Sequence, residues 1–412
     1  MMSSAALLTV IVAIVIAEYL LSKWLSYRNI KAATPVMPPQ LEGLYDAEKY
    51  AKQQSYFRTN NRFSLITSTI STIVMIALLS TQIFGSIYNY CLTITSNTIL
   101  VTLLYFGVLS LSYGILMLPF EIYDTFVIEE RFGFNKTTPK TFIADKLKSI
   151  MIAAILGGGL ISLIVWLYTL LETNFWWAAF LVSISVSLLM NLFYSQIIVP
   201  LFNKQTPLPE GELRDEIEKF AEKAGFEITN IYVIDGSKRS TKANAYFSGM
   251  GKKKRIVLYD TLIDELTTSE IVAVLAHEIG HYKKRHTLKN FIIAGIAMLV
   301  QLYVLSLTLT STTMAEAMGL LQPAFAVSLI AFGILYTPID LLMGLLMHSI
   351  SRKAEYEADN FAAKYGLGDE LISALKKISV KSLSNLTPDK LYVKFYYSHP
   401  TLLQRIKAIK KD

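Results

Sequence analysis

Two histidines with a glutamate between them, in the run His277-Glu278-Ile279-Gly280-His281, are the residues of this chain best placed to do chemistry. On a helix, residues four apart stand one above the other on the same face, so both imidazoles can reach one cation. Zinc suits such donors: it accepts imidazole and carboxylate, prefers a tetrahedron, and in catalytic sites keeps a fourth position for water. It lowers the pKa of that water to about 7, and Glu278 is the carboxylate able to take the remaining proton during attack on a carbonyl. With five histidines in the chain, chance is a poor source of this pattern, although two histidines on a solvated helix face would also satisfy it.

A third protein ligand has to come from elsewhere. In Ser351-Arg352-Lys353-Ala354-Glu355-Tyr356-Glu357-Ala358-Asp359, the side chains of Glu355 and Asp359 share a helix face. Glu355 is assigned to the metal, and Asp359 to the free ring nitrogen of a ligating histidine, whose tautomer it would fix. Taken alone, Glu355, Glu357 and Asp359 equally suit a solvated acidic face paired with Arg352 and Lys353. His286, after Lys283, Lys284 and Arg285, is read as structural, a cation at the negative end of the histidine-bearing helix. His348, two helical turns before Glu355, is read as a polar interior contact. From spacing alone His399, followed by Pro400, reads as a helix cap, with Arg405 a turn and a half further on; beside a metal either could stabilise an oxyanion.

These side chains need elements to position them. Thr267-Thr268-Ser269-Glu270 has the spacing of a capping box, which predicts a helix from about Thr268 to about Arg285. Upstream, the turn-rich Thr206–Gly211 leads into an amphipathic helix with Leu213, Ile217, Phe220 and Ala224 on one face and Gly225 as its stop. Three β-rich runs, Ile231–Ile234, Asn244–Ser248 and Arg255–Tyr259, predict a small sheet beside the helices. A carboxylate helix through Glu355 should end at Gly366.

The remainder is too apolar for an ordinary soluble chain: of 412 residues, 53% are hydrophobic and 17% charged. Seven apolar stretches free of Lys and Arg approach the length of a membrane span: Ala5–Leu21, Phe63–Ile83, Ile99–Phe120, Ser149–Leu171, Phe175–Pro200, Phe291–Leu309 and Ala324–Ile350. Segments 22–62, 119–148, 201–290 and 351–412 hold all 39 basic residues, which predicts an outer N-terminus, an odd number of spans and a cytoplasmic C-terminus. The net charge of +7 then reflects topology and contact with anionic lipid rather than nucleic acid. The chain divides accordingly into 1–200 (five spans), 201–290 (the soluble segment with the histidine motif), 291–350 (two spans) and 351–412 (the segment with the third ligand). The single cysteine, Cys91, excludes an internal disulfide and a cysteine-rich zinc finger, and is expected in an outer loop.

Read together, the motifs resemble the type I CAAX prenyl endopeptidases, integral-membrane zinc proteases of the gluzincin group. The likeness runs through Thr125–Lys136, Pro200–Lys204, Leu208–Leu213, Asn244-Ala245-Tyr246, His277–His281, Glu355–Asp359 and Ser398-His399-Pro400, and so covers most of the chain. It implies a mainly α, multi-pass membrane protein: seven helices forming a barrel around a large water-filled chamber, with a small α+β cytoplasmic zinc-protease subdomain. It also implies one Zn2+ held by His277, His281 and Glu355, Glu278 as general base, Asp359 behind a ligand, and Asn244 and Ala245 on a strand that binds substrate backbone. By the same likeness His399 and Arg405 lie near the substrate and the oxyanion, which moves His399 from cap to active-site residue. The expected partners are an extended peptide or C-terminally prenylated protein and the lipid bilayer, with no nucleic acid, and the expected state is a monomer. Ile409-Lys410-Lys411-Asp412 is not an evident retrieval signal and the N-terminus is short, so a bacterial cytoplasmic membrane is expected before the endoplasmic reticulum. Two rivals stay open: a heat-shock-type protease that clears faulty membrane proteins, and a non-catalytic scaffold with a structural metal.

Overall fold

Long runs without charge form helices in a membrane because only a helix satisfies its own backbone groups there. A computed structural model describes residues 2–34, 43, 45–228, 230–248 and 255–411, with 247 and 248 by backbone alone. Helix α1 (Ser4–Ala32) packs on α2 (Ala47–Ser80), and a short α3 (Ile83–Ile94) follows. The next helix, α4 (Thr98–Tyr123), continues through a widened π turn at Asp124–Glu129. Helix α5 (Pro139–Ile152) passes a second π turn into α6 (Gly158–Leu171); Glu172, at φ 51°, and a 3-10 turn break the run before α7 (Phe175–Ile197) and α8 (Val199–Phe202). Because α6 and α7 pack on each other, the break is a hairpin.

Among the described residues, six helical runs can cross a membrane by length and composition, where the sequence predicted seven spans. The difference lies in Pro139–Phe202, a run of 64 residues that contains both Ser149–Leu171 and Phe175–Pro200. Cys91 is also placed differently. The apolar segment around it is too short to cross a bilayer but packs as α3 against α4, so the thiol is buried in a helix rather than set in a loop.

The soluble portion begins with β1 (Gln205–Pro207), α9 (Glu212–Lys223), β2 (Ile231–Ile234), β3 (Ala245–Ser248) and β4 (Arg255–Tyr259). The sheet order is β1-β2-β4-β3, with β2 and β4 parallel and the other pairs antiparallel, so among the described residues β3 is an edge strand. After α10 (Asp260–Ile263) come α11 (Thr268–Lys283), the apolar α12 (His286–Thr308), α13 (Thr312–Ala317) and α14 (Phe325–Lys364), a helix of 40 residues. Helices α15 (Gly368–Lys381), α16 (Lys390–Tyr396) and α17 (Leu402–Ile409) complete the chain. One core joins both soluble segments: Ile217 and Phe220 of α9, Leu258 of β4 and Ile279 of α11 meet Leu371 of α15 and Ile409 of α17.

Around the membrane portion the neighbours run α2, α1, α14, α12, α7, α6, α4. Stacking of Phe63 on Tyr123 then closes the ring from α2 to α4. Large apolar side chains remain exposed on these helices, Ile115 by 71% and Leu342 by 65%, as a surface meeting acyl chains requires. At one end, Gly85 of α3 donates its N–H to the Met318 carbonyl at 3.0 Å. A Cβ at Gly85 would overlap the Gly319 carbonyl, so glycine is needed for this approach.

Candidate functional site

The histidine-bearing helix starts where its capping box predicts. The backbone N–H of Thr267 donates to Glu270 Oε2 at 2.8 Å, and the Thr267 hydroxyl accepts from the Glu270 N–H at 3.4 Å. Glu270 also accepts from Ser373 at 2.6 Å and from Lys377 at 2.7 Å, tying α11 to α15. Burial opposes ionisation of Glu270, but the hydrogen bonds from Lys377, Ser373 and Thr267 prevail and hold its pKa below the usual 4.5.

Gly280, inside the motif, sets the spacing between α11 and α14. A Cβ there would lie 3.0 Å from Ala358 Cα and from Phe361 Cβ, so the two helices touch backbone to backbone where the donors meet. His277 Nε2 is 3.1 Å from His281 Nε2 and 3.5 Å from Glu355 Oε2, and His281 Nε2 is 3.3 Å from Glu355 Oε1. Donors bonded at about 2.0–2.1 Å to a tetrahedral zinc would stand about 3.3 Å apart, so the three atoms fit that ion. Two further observations favour a cation: two ring nitrogens face each other, and the buried Glu355 Oε2 has no hydrogen-bond partner.

Behind this set, Asp359 and Arg405 form a buried pair, Arg405 Nε to Oδ2 at 2.8 Å and Nη2 to Oδ1 at 2.5 Å. Asp359 Oδ1 lies 2.8 Å from His277 Nδ1 and accepts its proton, which turns the bare Nε2 towards Glu355 and His281. In the absence of a cation, burial works against a charged His277, but the bonds with Asp359 and Glu355 outweigh it and lift its pKa to about 9. Burial likewise opposes a charged Arg405, and the Asp359 and Glu355 carboxylates keep it protonated. The sequence expectation put Arg405 at an oxyanion. Its guanidinium, on α17 just after the capping box of Thr401 and Gln404, is 8% exposed, bound to Asp359 and 3.6 Å from Glu355 Oε2.

His286 is also not where spacing suggested. Helix α11 stops at Lys283, Arg285 adopts φ 56°, and His286 opens α12 instead of closing α11. It is buried, with Nδ1 3.0 Å from His281 Nδ1 and Nε2 3.1 Å from Glu357 Oε2. No sequence signal marks this break, since Lys283-Lys284-Arg285 contains neither Gly, Pro nor Asn. His348 is half-buried on α14 and is not among the residues that converge on the donors.

A cavity of about 1380 Å³ opens beside the three donors. Glu278, His281, Glu355 and His399 line it, together with Asn244 and Tyr246 of the β3 segment. His399 is exposed, with Nε2 3.2 Å from Glu355 Oε1 and Nδ1 2.9 Å from the Ser398 hydroxyl. Arg352 of α14 donates to the Tyr397 carbonyl at 2.7 Å and so fixes the turn that carries His399. Asn244 flanks β3, its carbonyl accepting from the Tyr259 N–H at 3.1 Å, and Ala245 pairs with Leu258.

A closed ring of apolar helices, and at one end of α7 and α12 a cavity with such donors in its wall, define a membrane metalloendopeptidase. Residues 26–204 match the family model of the CAAX prenyl protease N-terminal region with five membrane helices, and residues 207–412 match peptidase family M48. CAAX prenyl protease 1 of Saccharomyces cerevisiae is 33% identical over 96% of this chain and 93% of its own, and the Arabidopsis thaliana homolog is 36% identical over 97% and 96%. The Homo sapiens homolog is 31% identical over 93% and 90%. The crystal structure of S. mikatae Ste24p superposes with a TM-score of 0.93 at 34% identity, covering 98% of this chain and 99% of that one. The chain belongs to the CAAX prenyl protease 1 family.

Proposed function

We propose that this membrane endopeptidase uses one zinc ion held by His277, His281 and Glu355 to cut an extended peptide near a prenylated C-terminal cysteine. The observation that carries the reading is the meeting of three donor atoms from α11 and α14, within 4.8 Å of one another, at the wall of a cavity bordered by a sheet edge. When bound, zinc supplies Lewis acidity towards a carbonyl and towards water. Glu278 takes the proton of the attacking water and returns it to the leaving amine. His399, on the open side of the donors, donates from Nε2 to the developing oxyanion. Arg405 and Asp359 act through His277, keeping its proton on Nδ1 and its lone pair on Nε2.

The substrate adds a strand to β3, whose outer side, unpaired among the described residues, offers Ala245 and its neighbours for main-chain hydrogen bonds, with Asn244 at the entry. Prenylation is supported by the relatives, which are CAAX prenyl proteases, and by the size of the cavity. The hairpin at Glu172 supports counting Pro139–Phe202 as two crossings, seven in all, with an outer N-terminus and a cytoplasmic site. The relatives above come from fungi, a plant and an animal and lend no weight to a bacterial membrane.

The test uses full-length protein in detergent or liposomes with farnesylated and plain copies of one peptide. Glu278→Ala is expected to keep one zinc per chain and lose cleavage by at least about 100-fold. Undiminished cleavage by the purified variant would overturn the assignment, and equal cleavage of both peptides would remove the prenyl requirement.

A further inference from the structure

The pair His286–Glu357, hydrogen-bonded in line behind the ligand His281, has no part in the reaction described above. Its geometry restricts where protons can sit. The Glu357 carboxylate can only accept, so the His286 Nε2 3.1 Å from it must carry a proton. In neutral His286 that leaves Nδ1 bare, facing His281 Nδ1 at 3.0 Å, which must then be the donor. With its proton on Nδ1, His281 presents a bare Nε2, the atom that stands 3.3 Å from Glu355 and 3.1 Å from His277 Nε2.

We propose that His286 and Glu357 are positioning residues for metal binding, a relay that fixes the tautomer and ring plane of His281 as Arg405 and Asp359 fix those of His277. The inference rests on the metal site proposed above. The two ligands are thus served by different devices from different elements, a carboxylate directly for His277 and a carboxylate through a second imidazole for His281.

The backbone bears the mark of this arrangement. On a continuous helix a residue five positions after His281 would lie about 140° around the axis and could not face it. The left-handed conformation of Arg285 interrupts the helix and folds the first turn of α12 back, bringing a buried imidazole against the ligand. A non-glycine residue held at positive φ is a local strain that the surrounding packing has to sustain. Glu357 in turn is set on α14 two residues beyond Glu355, so one helix carries both a donor and the end of the relay that orients another donor.

Zinc affinity of the full-length protein, measured by competition with a chromophoric chelator, and the visible spectrum of the cobalt-substituted protein test the relay. His286→Leu is expected to weaken zinc binding roughly 10- to 100-fold and to alter the cobalt bands. His286→Asn, whose amide oxygen can still accept from Nδ1, should recover part of the loss. Adding Glu357→Ala to His286→Leu should cost no further affinity, since the relay is already broken. Zinc affinity within threefold of the parent in His286→Leu, or additive losses in the double variant, overturns the relay. If His286→Leu does not fold, Glu357→Ala alone carries the test, with an unchanged cobalt spectrum as the overturning result. A parent protein that binds no zinc, or binds it equally well after His281→Ala, overturns the metal site itself and the relay with it.

Discussion

The most consequential single contacts lie behind the donors rather than among them. Arg405 and Asp359 are both buried and paired through two hydrogen bonds, so removing one leaves the other charged and without compensation. Arg405→Met is expected to lower the stability of the detergent-solubilised protein by about 3–5 kcal/mol, read as an earlier unfolding midpoint, and to weaken zinc binding in parallel. Arg405→Lys should rescue little, because an ammonium cannot grip both oxygens of Asp359. At this scale the sequence was largely legible: the i, i+4 spacing of His277 and His281, and of Glu355 and Asp359, told which side chains share a face. The place of Arg405 and the contacts of His286 were not legible, because each depends on a backbone turn whose direction the residue types leave open.

Among the elements, the contact of α11 with α14 holds the site together. Gly280→Ala pushes Ala358 and Phe361 away at the crossing, with an expected cost of about 1–3 kcal/mol and a fall in zinc affinity larger than any change in peptide binding. Glu270, which joins α11 to α15, gives a pH-dependent prediction. Its pKa in the fold lies below the ordinary 4.5, so the unfolded chain binds the proton more readily. The stabilisation from Glu270 is therefore complete above about pH 4.5 and disappears as pH falls through the lower, folded value. The difference in unfolding midpoint between parent and Glu270→Gln should be constant from pH 7 to pH 5 and shrink below that. The helix start at Thr267, the strands and the amphipathic α9 could be read from the sequence because each rests on local chemistry. The sheet order, which leaves β3 on the edge, rests on pairing between distant segments and could not.

For the whole molecule, every basic residue falls in four segments, and the two soluble ones share a single core that includes Ile217, Ile279 and Leu371. Both must therefore lie on one side of the bilayer. With buried Cys91 replaced by serine, a cysteine at exposed Glu210 should react with a membrane-impermeant maleimide only from the cytoplasmic side, and one at exposed Ser96 only from the other. Labelling of both from the same side would overturn the proposed orientation. The apolar spans were legible because hydrocarbon demands length and the absence of charge. Their number depends on the short turn at Glu172–Asn174, which the sequence marks by polar residues between two apolar stretches but across which helix length and composition count a single run.

Helix α14 links the bilayer to the catalytic wall without a loop between them, and Pro338 lies within it. A proline leaves one rung of the helical ladder unmade, so this is where the rod bends most readily. Glu355 stands seventeen residues further along, about 26 Å at 1.5 Å per residue. A deflection of only about 2° at Pro338 would then carry its carboxylate roughly an ångström, as far as a lever of that length dictates. Anything that bends the rod at Pro338 would therefore part Glu355 from His277 and His281 before it disturbs the soluble core around α11.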